Sequence, residues 1–313
     1  HTVRGRILEA FEQAEYVRVW GEVEEVRPWL TFVVVGGGAT GVEISGAIKQ
    51  LAVDRLAPEF KDLDVAGCRV VLVEGGDRLL PAMSAKSSAA ATRTLKSYGI
   101  EIHLNTRVVD VSCEGVTITH GDTKEFVPAK TVVWGAGVTG NALGARLAEA
   151  IGVETDKGGR LKVAGNLTVG DRNDVRVIGD LARVETNDVG GMVPGIAQGA
   201  IQMGSYAGKA IAAQIAGRAP SKKPFSYFDK GSLATVGRGK AVLDMGRLHL
   251  SGFAGWLVWA VVHITFLVNF RSRIAAMGSW ALAYIFQTGV NELITKPARS
   301  DDYEPKATDS SSK

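Results

Sequence analysis

Residues 31–43 read TFVVVGGGATGVE. Phe32 to Val35 form the apolar, β-branched run that a parallel strand covered on both faces requires. Gly36, Gly38 and Gly41 follow as G-x-G-x-x-G. The three glycines serve different ends. Gly36 makes the tight turn, Gly38 lets backbone approach a pyrophosphate, and Gly41 lets the next helix pack close to the strand. The positive end of that helix then receives the pyrophosphate. A glycine-rich loop between two core elements would show the same three glycines, so the flanks decide. Val42, Ile44, Ile48, Leu51 and Leu56 keep helical spacing, and Cys68 to Val73 give a second apolar strand ending at Glu74. A carboxylate there accepts from both hydroxyls of an adenosine ribose and repels a 2′-phosphate, which favours NADH over NADPH. From Gly41 to Glu74 is 33 positions, against about 20 in the usual fingerprint. The excess predicts a longer helix or an insertion around 58–66.

The chain's 313 residues suffice for two domains, and its 46% hydrophobic and 22% charged residues are ordinary for a globular protein. A net charge of +3, with Lys and Arg dispersed, argues against a nucleic-acid partner. Cys68 and Cys113 are far apart and form no C-x-x-C. That gives no metal site and no redox dithiol, and suits a reducing compartment.

Beyond Glu74 the pattern stays α/β: a helix over 85–98 ended by Gly99, short strands near 101–104, 108–113 and 116–119, and a return strand Thr131 to Trp134 entering Gly135-Ala136-Gly137. A strand running into glycines places backbone beside a flat ligand or simply makes a turn. Val175 to Asp180, VRVIGD, predicts another strand closed by Gly179 and Asp180. Pro194 to Gln202 opens a helix running through Ala212, with Gln198 and Gln202 four apart on one face. Two uncharged amides can donate to and accept from a carbonyl ligand, or can satisfy nearby backbone. Residues 252–270 form a 19-residue run without Asp, Glu, Lys or Arg, followed by Arg271 and Arg273 and a shorter apolar run over 274–286. One long and one short apolar helix suit a hairpin lying in one leaflet, with Trp256, Trp259, Trp280 and Tyr284 for the headgroup region. A core helix, a dimer contact and a true span are the alternatives.

Taken together, RGRILEAFEQAE (4–15), TFVVVGGGATGVEISG (31–46), VVWGAGV (132–138), VIGD (177–180), AQGAIQ (197–202) and FSYFDKGSLATVGR (225–238), followed by the apolar pair, resemble the type II NADH dehydrogenases. These are the single-chain NADH:quinone oxidoreductases of bacteria, and the likeness is to the actinobacterial branch. The resemblance implies an α/β, Rossmann-like flavoprotein with two dinucleotide-binding domains and C-terminal membrane-associating helices. Gly36, Gly38, Gly41 and Glu74 would hold NADH. Ala136 and Gly137 would border the flavin and nicotinamide, Gly179 and Asp180 would hold FAD, and Ala197 would open the helix beside them. Gln198 and Gln202 would line a quinone opening, and Glu43 and Lys230 would supply protons. For Glu43 the competing role is a helix N-terminal carboxylate, and for Lys230 a surface cation.

The family begins with another strand and G-x-G-x-x-G for the ADP half of FAD, and no such strand and motif precedes Gly36 here. The chain is therefore read as N-terminally truncated. The expected division is 1–27 as a flavin-domain remnant and connection, 28–134 as the NADH domain, and 135–235 as the C-terminal part of the flavin domain. Residues 236–296 would form a membrane-anchoring region and 297–313 a disordered tail. The implied activity is non-proton-pumping transfer from NADH through FAD to a membrane quinone, menaquinone or ubiquinone. The expected location is the cytoplasmic side of the cell membrane, attached peripherally to the bilayer surface, with a homodimer left open. The rivals are a noncatalytic NADH-binding membrane fragment and another NAD(P)H-dependent flavoprotein reductase.

Overall fold

The computed structural model describes residues 2–186, 191–266, 271, 273–275, 277, 278 and 280. In chain order its first part comprises α1 (Thr2–Trp20), α2 (Val23–Trp29), β1 (Thr31–Val35), α3 (Ala39–Leu51), β2 (Arg69–Val73), α4 (Ala85–Ser97) and β3 (Glu101–His103). The meander β4 (Thr106–Val111), β5 (Gly115–His120) and β6 (Thr123–Pro128) follows, then β7 (Thr131–Trp134). The parallel sheet runs β3-β2-β1-β7. Both its faces are covered, which explains the unbroken valines. Phe32, Val34, Val70 and Leu72 pack with Phe11 of α1, Ile48 of α3 and Leu95 of α4. Val33, Val35, Val71 and Val73 pack instead with Val116, Ile118 and Val127 of the antiparallel meander. At about 1.5–3 kcal/mol for each large apolar side chain removed from water, a polar residue at any of these positions would destabilise the sheet. The extra residues before Glu74 are accounted for by a π-helical turn, Ala52–Leu56, and the turns that follow α3.

The next part holds α5 (Ala142–Ile151), capped by the Asn141 side chain on Leu143 N at 2.9 Å. It continues through the short strands β8 (Leu161–Lys162), β9 (Thr168–Val169), β10 (Arg172–Arg176), β11 (Ala182–Arg183), β12 (Glu185–Thr186) and β13 (Gly191–Met192) to α6 (Ala197–Ile215). The strand expected over 175–180 is shifted: β10 ends at Arg176, and Gly179–Leu181 form a 3-10 turn. The physical reason is partnership. β10 pairs antiparallel with β9, Val177 N still donates to Leu167 O, and Gly179 at φ +69° then turns the chain away.

The last part is an antiparallel sheet of β14 (Ser232–Gly237), β15 (Lys240–Met245) and β16 (Leu248–Ser251), followed by α7 (Gly252–Phe266). It packs on α3 so closely that a Cβ on Gly46 would collide with Val236 O. Two compact units result, one of residues up to Ala136 together with those from Ser232 onward, the other Gly137–Gly231. The division expected at 135 and 236 thus falls at 137 and 232. Residues 1–27, expected as a flavin-domain remnant, lie in the first unit, with the Phe11 ring 5.3 Å from Phe32. The region from 236 is not a unit of its own, because β15 and β16 also hold α4. Asp244 accepts from Ser84 N at 2.6 Å and Ser87 Oγ at 2.6 Å, and His249 Nδ1 lies 2.6 Å from it.

Among the described residues no helix is long and apolar enough to cross a membrane. α7 leaves Phe253, Leu257 and Val261 exposed at successive fourth positions, while Trp259 stacks on Trp280 at 5.3 Å. Residues 267–270, most of the second apolar run, including Tyr284, and the tail at 297–313 lie outside the described residues.

Candidate cofactor and substrate sites

In the first unit the three expected glycines behave differently. Gly36 has φ +108°, and a Cβ there would stand 2.9 Å from Ala136 Cβ, so the β1 turn and the β7 turn cross with no room for a side chain. Gly41 lies against the Gly36 carbonyl, which admits only glycine. Gly38 meets nothing within 4 Å. It caps α3 without any side-chain hydrogen bond, so the first-turn amides and the positive helix end face open space. That open, uncapped turn is what a pyrophosphate requires, and the residues fit a dinucleotide.

Glu74 stands at the end of β2. Its Oε2 accepts from Gly37 N at 2.5 Å and its Oε1 from Gly76 N at 2.6 Å. No sequence pattern signals these bonds, nor that Gly37 is confined, with a Cβ 2.7 Å from Leu79 Cδ2 and 2.9 Å from Glu74 Cγ. A carboxylate has about four acceptor positions, so the two amides orient Glu74 and leave capacity for ribose hydroxyls.

Glu43, one turn into α3, accepts from Thr235 N at 3.0 Å, and Gln50 from Arg238 N at 2.9 Å. Both therefore tie α3 to β14. Glu43 also lines a cavity of about 420 Å³ whose other wall is Trp256, Trp259 and Trp280. These tryptophans, expected near lipid headgroups, line this cavity.

In the second unit Gly137 has φ +67° with open space around its Cα. Gly179 N lies 3.2 Å from Met203 Sδ. Asp180 follows on the 3-10 turn, exposed and with no partner for its carboxylate among the described residues, and Gly195 beside it leaves 3.7 Å to Oδ1. An unpaired carboxylate flanked by two glycines fits a polyhydroxyl chain such as that of FAD. Ala197 is exposed as the first residue of α6, again without a side-chain cap.

The two glutamines on α6 part company. Gln202 is fully engaged: its Nε2 donates to Phe228 O and its Oε1 accepts from Phe228 N, both at 2.9 Å. It pins the loop that carries Lys230, which is itself exposed. Gln198 has a buried Oε1 with no hydrogen-bond partner among the described residues. A buried orphan acceptor is costly unless a ligand or water donates to it.

The pyridine nucleotide-disulphide oxidoreductase family pattern matches residues 5–204. The chain belongs to that family. Over 285 residues it is 41% identical to the type II NADH:quinone oxidoreductase Ndh of Mycobacterium tuberculosis, covering 90% of this chain and 60% of that protein. It is also 41% identical over 287 residues to NdhA of the same organism, covering 90% and 59%. The chain thus spans about 60% of the length of these curated relatives. The fold agrees with that of NDH2 from Plasmodium falciparum, solved in complex with NADH, at a TM-score of 0.82 and 20% identity, covering 94% of this chain and 72% of that one.

Proposed function

We propose that this chain forms the NADH-binding and quinone-facing part of a type II NADH:quinone oxidoreductase that uses FAD. The observation that carries the reading is the uncapped α3 N-terminus behind Gly36, Gly38 and Gly41, with Glu74 fixed beside it by two amides. Bound FAD supplies a two-electron carrier between a hydride donor and a quinone. The protein's own groups bind and orient. The α3 amides hold the NADH pyrophosphate, Glu74 selects the unphosphorylated ribose, and Ala136 and Gly137 keep side chains away from flat rings. Asp180 accepts from FAD hydroxyls. Gln198 Oε1 awaits a donor on the ligand beside it, and Gln202 holds the Phe228 loop in place for it. Glu43 and Lys230 are the ionisable groups we assign to proton delivery to a reduced quinone.

Exposed Phe253, Leu257 and Val261 support peripheral attachment to the membrane surface, and NADH as substrate favours the cytoplasmic side of it. The test is to purify the chain, supply FAD, and measure flavin absorbance and NADH-dependent reduction of a quinone. Retained flavin with turnover supports the reading. NADH binding with neither flavin retention nor turnover would leave a noncatalytic nucleotide-binding module.

A further inference from the structure

The second unit contains a cavity of about 580 Å³ that none of the residues assigned above lines. It lies between the C-terminal half of α6, the end of β10 and the loop around 220–226, and its volume suits a small metabolite. Its charge has one sign. Arg176, Lys209 and Lys223 line it, and no Asp or Glu does. The surrounding sequence shares the bias: between Asp188 and Asp229 there is no acidic residue, while Lys209, Arg218, Lys222 and Lys223 fall in that stretch. Asp174, on the same strand as Arg176, is already held by Arg172 at 2.8 and 2.6 Å.

Three of the acceptors around the cavity are already engaged. Asn166 Oδ1 accepts from Thr168 Oγ1 at 2.7 Å, Gln214 Oε1 from Arg176 Nη1 at 3.3 Å, and Lys223 O from the Tyr206 hydroxyl at 2.7 Å. Donors outnumber the acceptors that remain on Asn173, Ser221 and Ser226: they are the amide nitrogens of Asn166 and Gln214, the lysine ammonium groups and the guanidinium. The Arg176 Nε is buried and has no hydrogen-bond partner among the described residues, while the guanidinium as a whole lines the cavity. A ligand rich in acceptors and carrying more than one negative charge would pair with the two lysines, the guanidinium and the free amide nitrogens together. A single carboxylate would leave two of the three cations uncompensated, whereas a phosphate monoester or diphosphate carries the charge and the oxygen geometry a guanidinium matches.

We propose that this cavity binds a phosphate-bearing ligand, with Arg176, Lys209 and Lys223 on the phosphoryl oxygens. The test is calorimetric titration of the full chain with pyrophosphate, with and without saturating NADH, alongside cosedimentation with phosphatidylglycerol and phosphatidylcholine vesicles. The Lys209→Gln/Lys223→Gln double variant alters two exposed side chains and leaves Arg176 in place, so its melting temperature and NADH affinity should match the parent. Pyrophosphate affinity in that variant should fall by roughly tenfold or more, as expected for lost charge-assisted bonds. With NADH saturating, so that the α3 N-terminus is filled, the parent should still bind pyrophosphate. If phosphatidylglycerol vesicles bind with the same dependence on Lys209 and Lys223 while pyrophosphate does not, the phosphate is a lipid headgroup. Binding of neither probe, binding untouched by the double substitution, or loss of all pyrophosphate binding with NADH saturating would overturn the proposal.

Discussion

Because Glu74 is aligned by Gly37 N and Gly76 N, its replacement removes both a ribose acceptor and the tie that orients the turn. Glu74→Ala should weaken NADH by about tenfold or more, in line with 1.5–3 kcal/mol for a hydrogen bond to a charged group, and narrow the preference over NADPH. Fluorescence titration with both nucleotides reads this, and an unchanged ratio of dissociation constants would remove Glu74 from selection. The glutamines make opposite predictions. Gln202→Leu takes two hydrogen bonds from Phe228 and should lower stability by about 1–2 kcal/mol, seen in urea unfolding. Gln198→Leu removes an orphan acceptor, so stability should hold or rise, while reduction of quinone slows and reduction of flavin by NADH does not. Their four-residue spacing is legible in sequence; their different employment is not, since Gln202's partner lies on a distant loop. Burial pushes the Cys68 thiol up to about 11, whereas Cys113 is exposed. A disulfide reagent at pH 8 should therefore modify one thiol per folded chain and the second only after unfolding.

At the scale of elements, the N-terminus of α4 is fastened by Asp244 of β15. Burial alone would raise that carboxyl, but hydrogen bonds from Ser87, His249 and Ser84 outweigh it and hold its pKa below the ordinary value. A depressed folded pKa means the stabilisation is complete above the unfolded carboxyl's pKa, about 4, and is lost as pH falls through the folded value. Asp244→Asn should cost about 1–2 kcal/mol at pH 7, with the difference from the parent closing on acidification towards pH 3. Equal differences at pH 7 and pH 3 in chemical unfolding would show that charge plays no part. The strands before Val73 and the helix after Gly38 are readable because one local pattern determines each. The end of VRVIGD is not, because a strand stops where its neighbour stops, and β9 is only Thr168–Val169. That Trp256 and Trp259 of α7 line a cavity is not legible for a related reason. Amphipathic rings suit a headgroup and a protein cavity alike, and only the position of α3 distinguishes them.

For the whole molecule, the exposed apolar row Phe253, Leu257 and Val261 is the part of α7 that its own sheet does not use. Replacing all three by Ser removes about 1.5–3 kcal/mol of transfer energy each. The variant should leave the membrane fraction while keeping its melting temperature, and a variant that still pellets after a salt wash would assign attachment elsewhere. Local patterns locate both glycine turns and the last apolar helix, yet they miss that β14, β15 and β16 complete the nucleotide unit, because no residue near 232–251 advertises a partner almost two hundred positions earlier. That discontinuity, with Gly137–Gly231 set between the two halves of one unit, has a consequence for biosynthesis. When Ala136 leaves the ribosome, α3 already exists, but Gly46 and Glu43 have nothing to lie against. At about 5–20 residues per second, the strand that covers them arrives roughly 5–20 s later. During that interval the nascent chain carries an unfinished surface, and a chaperone that shields apolar segments would act on this protein in that window.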